Sequence, residues 1–321
     1  MAFSLVILTA LFFFATPLKT RALGENFDLS LFPNYPKPGS AASAVVSSLN
    51  FEVEKSAIIW TVNGKVKRKG TGEKTLNFTM PDFGKTIKIG VEIITPDKEN
   101  IAKSVSITGN DLDLIWQADT YIPYWYKANS LAVVESFVNF AAIPHLFLNN
   151  TLLQRDKLFY EWFFDYEKQS GASGIGKNSF KAQIKNFDDH TVTVKVSDLG
   201  RKTLIEKSAV ISASKTNPEI IFYEIEPLAG VVFGSSAPSE TNLESEEIIL
   251  KAEPFFFSLD KTSDYSYEWE MNGKKINPEG EHGTIHLKKN PGISGTAFIK
   301  LSVQNLKKIF QSAEKTIKIN F

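Results

Sequence analysis

The chain has 321 residues, enough for two or three ordinary domains, and 43% of them are apolar. It carries 36 basic and 36 acidic residues, so its net charge gives no reason to expect a nucleic-acid partner. Cysteine is absent, which excludes disulfides, zinc–thiolate sites, cysteine nucleophiles and lipid-modified cysteine anchors. The 25 phenylalanines, with frequent isoleucine, valine and threonine, favour β-structure.

Residues 1–24 predict a secretory signal peptide or an uncleaved N-terminal anchor. The apolar run at 2–18 carries no charge and is shorter than the roughly 20 residues of a membrane span. The tripeptide Ala-Leu-Gly at 22–24 fits a small-x-small cleavage site. Lys19 and Arg21 follow the apolar run instead of preceding it, so cleavage and retention both stay open. We therefore expect an exported protein (cell surface, periplasm or secreted) that meets a membrane only through this segment, if uncleaved.

Three tryptophans mark an internal repeat. Trp60, Trp162 and Trp269 are 102 and 107 residues apart, and each leads from a strand-like run into a polar turn. Asn-Gly between such runs is a strong hairpin signal, because both turn residues need positive φ. The three turns are Asn63-Gly64-Lys65, Asp165-Tyr166-Glu167 and Asn272-Gly273-Lys274.

The same series of strands recurs around each tryptophan. In the second repeat it reads "VESFVNFAAIP" before the tryptophan, then a glycine-rich turn, "FKAQI", "VTVKVSD" and "EKSAVISA". No segment shows a helical apolar period over three turns. About 100 residues, seven or so short strands and a tryptophan in the third core strand describe an immunoglobulin-like (Ig-like) β-sandwich.

We therefore predict an all-β chain of three tandem Ig-like β-sandwich domains after the N-terminal segment, with the three tryptophans in their structural cores. The predicted domains span residues 25–109, 110–215 and 216–321. The linkers "TGND" and "SKTNPE" are short, which favours a semi-rigid rod over independently moving domains.

On these tryptophans, the turn after each, and the later "VTVKVSD"-type strand, the chain resembles the tandem Ig-like or PKD-type repeats of bacterial secreted and surface proteins. The resemblance covers nearly the whole chain after residue 24. More narrowly, the chain is similar to uncharacterised three-repeat secreted proteins of small-genome uncultured bacteria. The resemblance implies a fold and a surface setting, and it implies no activity.

The stretch "GASGIGKNS" at 171–179 has the skeleton of a phosphate-binding loop. Such a loop needs a helix after the glycines and Ser or Thr directly after the lysine. Asn178 follows Lys177 here, and "SFKAQIKNF" alternates like a strand. The other repeats carry glycine turns in the same slot, so we predict a sandwich turn and no nucleotide partner.

Signals for metal binding or catalysis are sparse, and we predict no catalytic residue and no cofactor. Asp111 and Asp113 are weak calcium candidates at the first domain junction, because calcium prefers six to eight oxygens; the alternative is a solvated linker. An enzyme would need a cleft with paired carboxylates that only the fold could reveal. The four histidines are interpreted as surface residues: His145, His190, His282 and His286.

The stretch "TYIPYWY" contains the candidate partner-binding residues, Tyr121, Tyr124, Trp125 and Tyr126. Clustered aromatic rings can form a platform for a protein partner or for sugar rings. The alternative is that they pack under the sandwich edge or across the junction of the first and second domains. If they form a platform, alanine at Tyr124 and Trp125 should abolish partner capture and leave the melting temperature nearly unchanged.

The second repeat departs most from the others. The stretch "PHLFLNNTLLQRDKLFY" reads as an insertion between its second and third core strands, which makes this repeat the candidate for partner binding. We predict a non-enzymatic, exported, modular Ig-like protein that acts as an envelope spacer, adhesin-like component or assembly part. The alternative is a carbohydrate-binding module protein of an envelope-polysaccharide system, using the same aromatic residues.

Overall fold

The computed structural model describes residues 27–259 and 264–321, so the predicted leader at 1–24 lies outside the described residues. Within the described ranges the regular structure consists of β-strands and two short 3-10 turns, Val53–Lys55 and Arg155–Lys157. No helix in this part of the chain is long and apolar enough to cross a membrane.

The described residues form two compact units. The first unit comprises residues 27–80 and 86–107. The second comprises residues 81–85, 108–259 and 264–321. The second unit contains two hydrophobic cores, and the first unit contains one. The exact domain boundaries at 109/110 and 215/216 stay predictions.

The first sandwich packs a three-stranded sheet, β1-β2-β5, against a four-stranded sheet, β4-β3-β6-β7. Alternate side chains of β2, β3 and β6 are buried, because successive residues of a strand face opposite sides. Trp60 in β3 is fully buried at the centre. The strands are β1 (Asp28–Phe32), β2 (Ala41–Ser47), β3 (Ala57–Val62), β4 (Lys65–Thr71), β5 (Thr75–Thr79), β6 (Thr86–Ile94) and β7 (Asn100–Thr108).

The second sandwich repeats this plan with β8-β9-β15 against β13-β12-β16-β17, and β14 also pairs with β12. Its insertion-like stretch forms a separate hairpin, β10–β11, whose turn residues Asn149 and Asn150 both have positive φ. The strands are β8 (Asp111–Ala118), β9 (Phe137–His145), β10 (Phe147–Leu148), β11 (Thr151–Leu152), β12 (Phe159–Phe164), β13 (Glu167–Lys168), β14 (Gly174–Ile175), β15 (Ser179–Gln183), β16 (Asp189–Ser197) and β17 (Leu204–Ser212).

The third sandwich packs β19-β18-β21-β24 against β20-β26-β25-β22-β23. Strand β20 pairs with β26 in parallel, and the other pairings within this sandwich are antiparallel. The strands are β18 (Glu219–Glu226), β19 (Gly230–Val231), β20 (Glu240–Asn242), β21 (Glu247–Phe255), β22 (Tyr265–Met271), β23 (Lys274–Ile276), β24 (Thr284–Lys288), β25 (Thr296–Asn305) and β26 (Ser312–Asn320).

Each core tryptophan is held by the glycine-rich turn that follows it in sequence. The indole Nε1 of Trp60, Trp162 and Trp269 donates to a backbone carbonyl of that turn, at 2.7, 2.9 and 2.9 Å. The accepting carbonyls belong to Glu73, Lys177 and His282. The glycine turn of "GASGIGKNS" therefore supplies a hydrogen bond to the core, and the strand predicted after it is confirmed as β15.

The predicted hairpins after the tryptophans are confirmed. All six central turn residues have positive φ, between 48° and 77°. In each hairpin the Asn or Asp side chain accepts a hydrogen bond from a backbone amide of the next long strand, at 2.8, 2.8 and 2.9 Å. The side chain thus ties the hairpin to its neighbour, which explains the recurrence of Asn63, Asp165 and Asn272.

The sequence interpretation missed strand β8, which opens the second sandwich. Asp111 and Asp113 lie inside β8, so the interpretation of this stretch as a linker was wrong. The aromatic stretch "TYIPYWY" at 120–126 lies between β8 and β9.

A candidate binding site at the junction of the second and third sandwiches

The chain directly after β8 pairs with the third sandwich. Thr120 and Ser258 form an antiparallel bridge. On either side of it, the Tyr121 amide donates to the Phe257 carbonyl at 2.6 Å, and the Leu259 amide donates to the Asp119 carbonyl at 3.1 Å. This short ladder fixes the start of "TYIPYWY" against the third sandwich.

Gln311 forms a second, fully buried link between the two sandwiches. Its Nε2 donates to the Val134 carbonyl at 2.9 Å and to Ser258 Oγ at 2.8 Å. Its Oε1 accepts from the Ser258 amide at 3.0 Å and from Asn305 Nδ2 at 3.2 Å. Because every one of these groups would cost free energy if buried without a partner, the side chain holds both sandwiches in one arrangement.

Glu135 of the second sandwich adds two further contacts. Its backbone carbonyl accepts from the buried Lys308 ammonium at 3.1 Å, and its carboxylate accepts from the Phe310 amide at 3.0 Å. The Lys308 ammonium also lies 5.8 Å from the centroid of the Phe137 ring. The second and third sandwiches are therefore joined by backbone, buried polar and cation–π contacts.

The rings of "TYIPYWY" pack against third-sandwich aromatics. Trp125 stacks on Phe233 with ring centroids 4.9 Å apart. It meets Tyr223 and Phe255 in edge-to-face arrangements, with ring centroids 5.6 and 6.3 Å apart. Tyr126 also contacts Phe255, at 5.9 Å. These rings thus pack across the junction of the second and third sandwiches, whereas the packing alternative named a sandwich edge or the junction of the first and second domains.

Tyr124 is the exposed member of the group. It is 82% exposed and meets Phe233 edge-on at 6.0 Å, with the ring planes at 90°. Trp125 and Tyr126 also stand nearly perpendicular, at 88°. Within the described residues, the Trp125 Nε1 is buried without a hydrogen-bond partner. Three of the four predicted site residues, Tyr124, Trp125 and Tyr126, therefore form a cluster of crossed rings with third-sandwich aromatics, exposed chiefly at Tyr124.

Tyr121 points into a groove on the third sandwich. Its hydroxyl donates to Glu253 Oε2 at 2.6 Å, and Glu253 is only 5% exposed. Burial, together with the hydrogen bond and the charge of Glu253, raises the pKa of Tyr121, so its hydroxyl remains a donor at neutral pH. Across the described residues, the Glu253 carboxylate has this one hydrogen bond and no ion pair.

The groove has a volume of about 390 Å³, and its wall includes four Tyr or Phe residues together with charged and aliphatic ones. The Tyr267 ring stacks on His282 with centroids 6.1 Å apart, and burial raises the pKa of Tyr267, as do the charges of nearby groups. At the rim, the Lys251 ammonium pairs with the exposed Glu281 carboxylate at 3.3 Å. Neither Glu253 nor Tyr267 was singled out from the sequence, although Tyr267 lies two residues before a core tryptophan.

The calcium candidates lie apart from any metal cluster in the described part of the chain. Asp111 Oδ1 accepts from the Leu112 amide at 2.8 Å, and Asp113 Oδ2 lies 3.9 Å from His145 Nε2. Residues 27–259 and 264–321 contain no group of three or more His, Asp or Glu residues that could hold a metal ion.

His190 is not a surface residue, so that interpretation was wrong. It is 5% exposed, its Nδ1 lies 2.7 Å from Asp165 Oδ2, and its ring stacks on Phe164 at 5.1 Å. Its Nε2 is buried without a hydrogen-bond partner in the described chain. The Asp at the hairpin turn therefore also anchors a polar ring inside the second sandwich.

No protein-family model matches the chain, and no curated protein matches it. Among solved structures, it is similar to the central fibronectin-III array of RIM-binding protein, with 12% identity, a TM-score of 0.31, and 92% of this chain and 95% of that chain covered. It is also similar to three N-terminal domains of the bacteriophage RB49 outer capsid protein Hoc, with 11% identity, a TM-score of 0.26, and 92% of this chain and 98% of that chain covered. A third similar structure is the Bacteroides ovatus mixed-linkage glucan utilization protein SGBP-B in complex with a heptasaccharide, with 9% identity, a TM-score of 0.23, and 92% of this chain and 70% of that chain covered.

The class of protein follows from the strands of this chain. Three sandwiches, each with one buried tryptophan in the third of its longer strands (β3, β12 and β22), define an all-β chain of tandem Ig-like domains.

Proposed function

We propose that the chain is a non-enzymatic, exported binding protein, in which the second and third sandwiches act as one stiff module at the cell envelope. The observation that carries the proposal is the junction itself. A ladder of backbone hydrogen bonds and the buried Gln311 fix the two sandwiches, and Tyr124 projects beside them into solvent. A spacer or adhesin-like component needs this combination of stiffness and an exposed aromatic anchor.

The ring geometry favours a protein partner over a sugar. A sugar platform presents broad, open ring faces, whereas one face of Trp125 is covered by Phe233 and its neighbours meet it edge-on. A single exposed tyrosine beside half-buried rings resembles the centre of a protein interface, where aromatic anchors are surrounded by packed contacts. Protein capture is therefore the function that we test.

Because Tyr124 is exposed and Trp125 is packed, we expect alanine substitutions at these two residues to have different effects. We expect Tyr124→Ala to reduce capture of an envelope protein by the full chain about ten-fold or more, as for an interface anchor. The melting temperature of the Tyr124→Ala variant should stay within about 1 °C of the wild-type value, since the ring is exposed. Trp125→Ala should instead lower the melting temperature, because this ring packs on the third sandwich.

The measurement is affinity capture from envelope fractions of the producing cells, with Tyr166→Ala as the control for an exposed tyrosine elsewhere. Equal recovery of every partner by wild type and Tyr124→Ala would contradict the proposed surface. Protease added to intact cells, followed by N-terminal sequencing, tests export. A chain that is protected outside and keeps Met1 would replace the envelope role with that of an internal scaffold.

A further inference from the structure

We propose that the groove beside Tyr121 binds the ammonium or guanidinium group of a lysine or arginine side chain, and that Glu253 is its counter-charge. The inference names the chemistry of the partner in the function proposed above, and so rests on that function. The groove is separate from the Tyr124 surface, so the two can be tested one at a time.

The groove contains a buried carboxylate, that of Glu253. A carboxylate removed from water needs several hydrogen bonds or an opposite charge, because its desolvation costs several kcal/mol. Glu253 is 5% exposed and receives one hydrogen bond, from the neutral Tyr121 hydroxyl. In the described residues no cation pairs with it. A basic side chain entering the groove would supply the missing charge.

The two other charged residues described at the groove, Lys251 and Glu281, pair with each other and leave Glu253 apart. Lys251 lies two residues from Glu253 in β21, so both can face the same side of the strand. The Lys251 ammonium, however, is paired with Glu281 at the rim. Among the described residues these two charges offset each other, and Glu253 remains as one uncompensated negative charge. An anionic ligand would be repelled by it, and a neutral sugar would leave it uncompensated.

The wall of the groove contains aromatic rings that can contact a cation. Cations are attracted to the faces of aromatic rings, and more strongly where water is excluded. Tyr267, Phe257 and Tyr121 line the groove, whose volume of about 390 Å³ admits a long side chain with its attached backbone. The aliphatic part of a lysine or arginine would cover apolar surface while its charged end reaches Glu253.

The test uses the full chain with 13C-labelled tyrosine, observed by NMR. The ligands are the blocked tripeptides acetyl-Gly-Arg-Gly-amide, acetyl-Gly-Lys-Gly-amide and, as the neutral match, acetyl-Gly-Gln-Gly-amide. We expect at least one basic tripeptide to shift the Tyr121 and Tyr267 signals saturably, and the glutamine tripeptide to leave them unchanged. Equal shifts with all three tripeptides, or none with either basic one, would overturn the proposal.

Glu253→Gln is the decisive variant, because the amide oxygen can still accept from Tyr121 while the charge is lost. We expect the Kd for the basic tripeptide to rise about ten-fold or more, as for loss of a charge-assisted hydrogen bond. Glu224→Gln, on the exposed part of β18, should bind as the wild type does. Unchanged affinity in Glu253→Gln would overturn the assignment of the counter-charge.

Three further measurements distinguish the possible outcomes. If Glu253→Gln does not fold, Tyr267→Ala replaces it, since this half-buried ring lines the groove outside the junction ladder; unchanged binding there would also overturn the site. A cello-oligosaccharide that shifts the same tyrosines equally in wild type and Glu253→Gln would make the groove a sugar site. Tyr124→Ala should leave tripeptide binding intact, so loss of protein capture in that variant reports on the other surface alone.

Discussion

The second and third sandwiches place a tyrosine at the same position, two residues before the core tryptophan, and use it differently. Tyr160 is fully buried, and its hydroxyl donates to the Arg155 carbonyl in the 3-10 turn at 3.0 Å. Tyr267 is half-buried and lines the groove that contains Glu253. The shared frame of tryptophan, glycine turn and hairpin thus leaves this neighbouring position free to serve either the core or a binding site.

A similar contrast occurs on the strand that follows each hairpin. There, one backbone amide donates to the Asn or Asp side chain of the hairpin turn, and the residue just before that amide differs among the sandwiches. This position is Ile87 in the first sandwich, His190 in the second and Ala297 in the third. Ile87 and Ala297 pack against their cores, whereas His190 contacts Asp165. A polar residue can therefore occupy this interior position in the second sandwich, because the turn residue there is an aspartate that contacts the histidine ring.

The largest expected effect is the loss of stability when a core tryptophan is removed. Trp162→Ala should destabilise the second sandwich by about 3–5 kcal/mol, because it empties a fully buried site and leaves the Lys177 carbonyl without its donor. Urea unfolding followed by circular dichroism measures the loss. Trp162→Phe, which fills more of the space, is the matched control and should cost less. A loss below about 1 kcal/mol for Trp162→Ala would show that the frame does not depend on this ring.

The second prediction sharpens the comparison of Tyr160 with Tyr267. Burial raises the pKa of Tyr160 to about 12, above the value of 10.0 for a free tyrosine. A group whose pKa is raised by folding contributes stability that is complete below the unfolded pKa and is lost as pH rises through the folded pKa. Stability should therefore fall between pH 10 and 12, by at most about 2–3 kcal/mol from this residue.

Urea midpoints measured from pH 8 to 11.5 test this prediction. Tyr160→Phe removes the titrating hydroxyl and should flatten the fall, at the cost of the hydrogen bond to Arg155. Tyr124→Phe, at an exposed ring, is the control and should follow the wild-type curve. Identical pH profiles for wild type and Tyr160→Phe would mean that Tyr160 does not carry the alkaline loss.

The frame was predictable because its signals are local. Alternating apolar residues, a tryptophan and a tight turn (Asn-Gly in two repeats, Asp-Tyr in the second) lie within about fifteen residues of one another in each repeat. Strand β8 was missed although Leu112, Leu114 and Trp116 alternate within it, because its two aspartates suggested a linker. The groove depends on Tyr121 meeting Glu253 across 132 residues. No local sequence pattern predicts a contact over such a distance. Nothing in the apolar run "EIILKAEPFFF" indicates that Glu253 has a special role.

The smallest expected effect concerns the hairpin turns, where the second sandwich departs from the other two. Tyr166 has a φ of 68°, whereas the matching residues, Gly64 and Gly273, both have a φ of 77°. A left-handed conformation costs a non-glycine residue about 1–2 kcal/mol, and glycine's larger entropy loss on folding offsets about 0.5–1 kcal/mol of this. The Tyr166 ring is 86% exposed, so its removal forfeits little packing.

Tyr166→Gly should therefore stabilise the second sandwich by about 0.5–1 kcal/mol in urea unfolding. The reciprocal change, Gly64→Tyr in the first sandwich, should destabilise that sandwich by a similar amount, because it imposes the same strain on a turn that lacks it. Destabilisation by Tyr166→Gly would show that the exposed ring makes a contribution that outweighs its backbone strain. Opposite signs for the two changes would establish that turn conformation alone separates these hairpins.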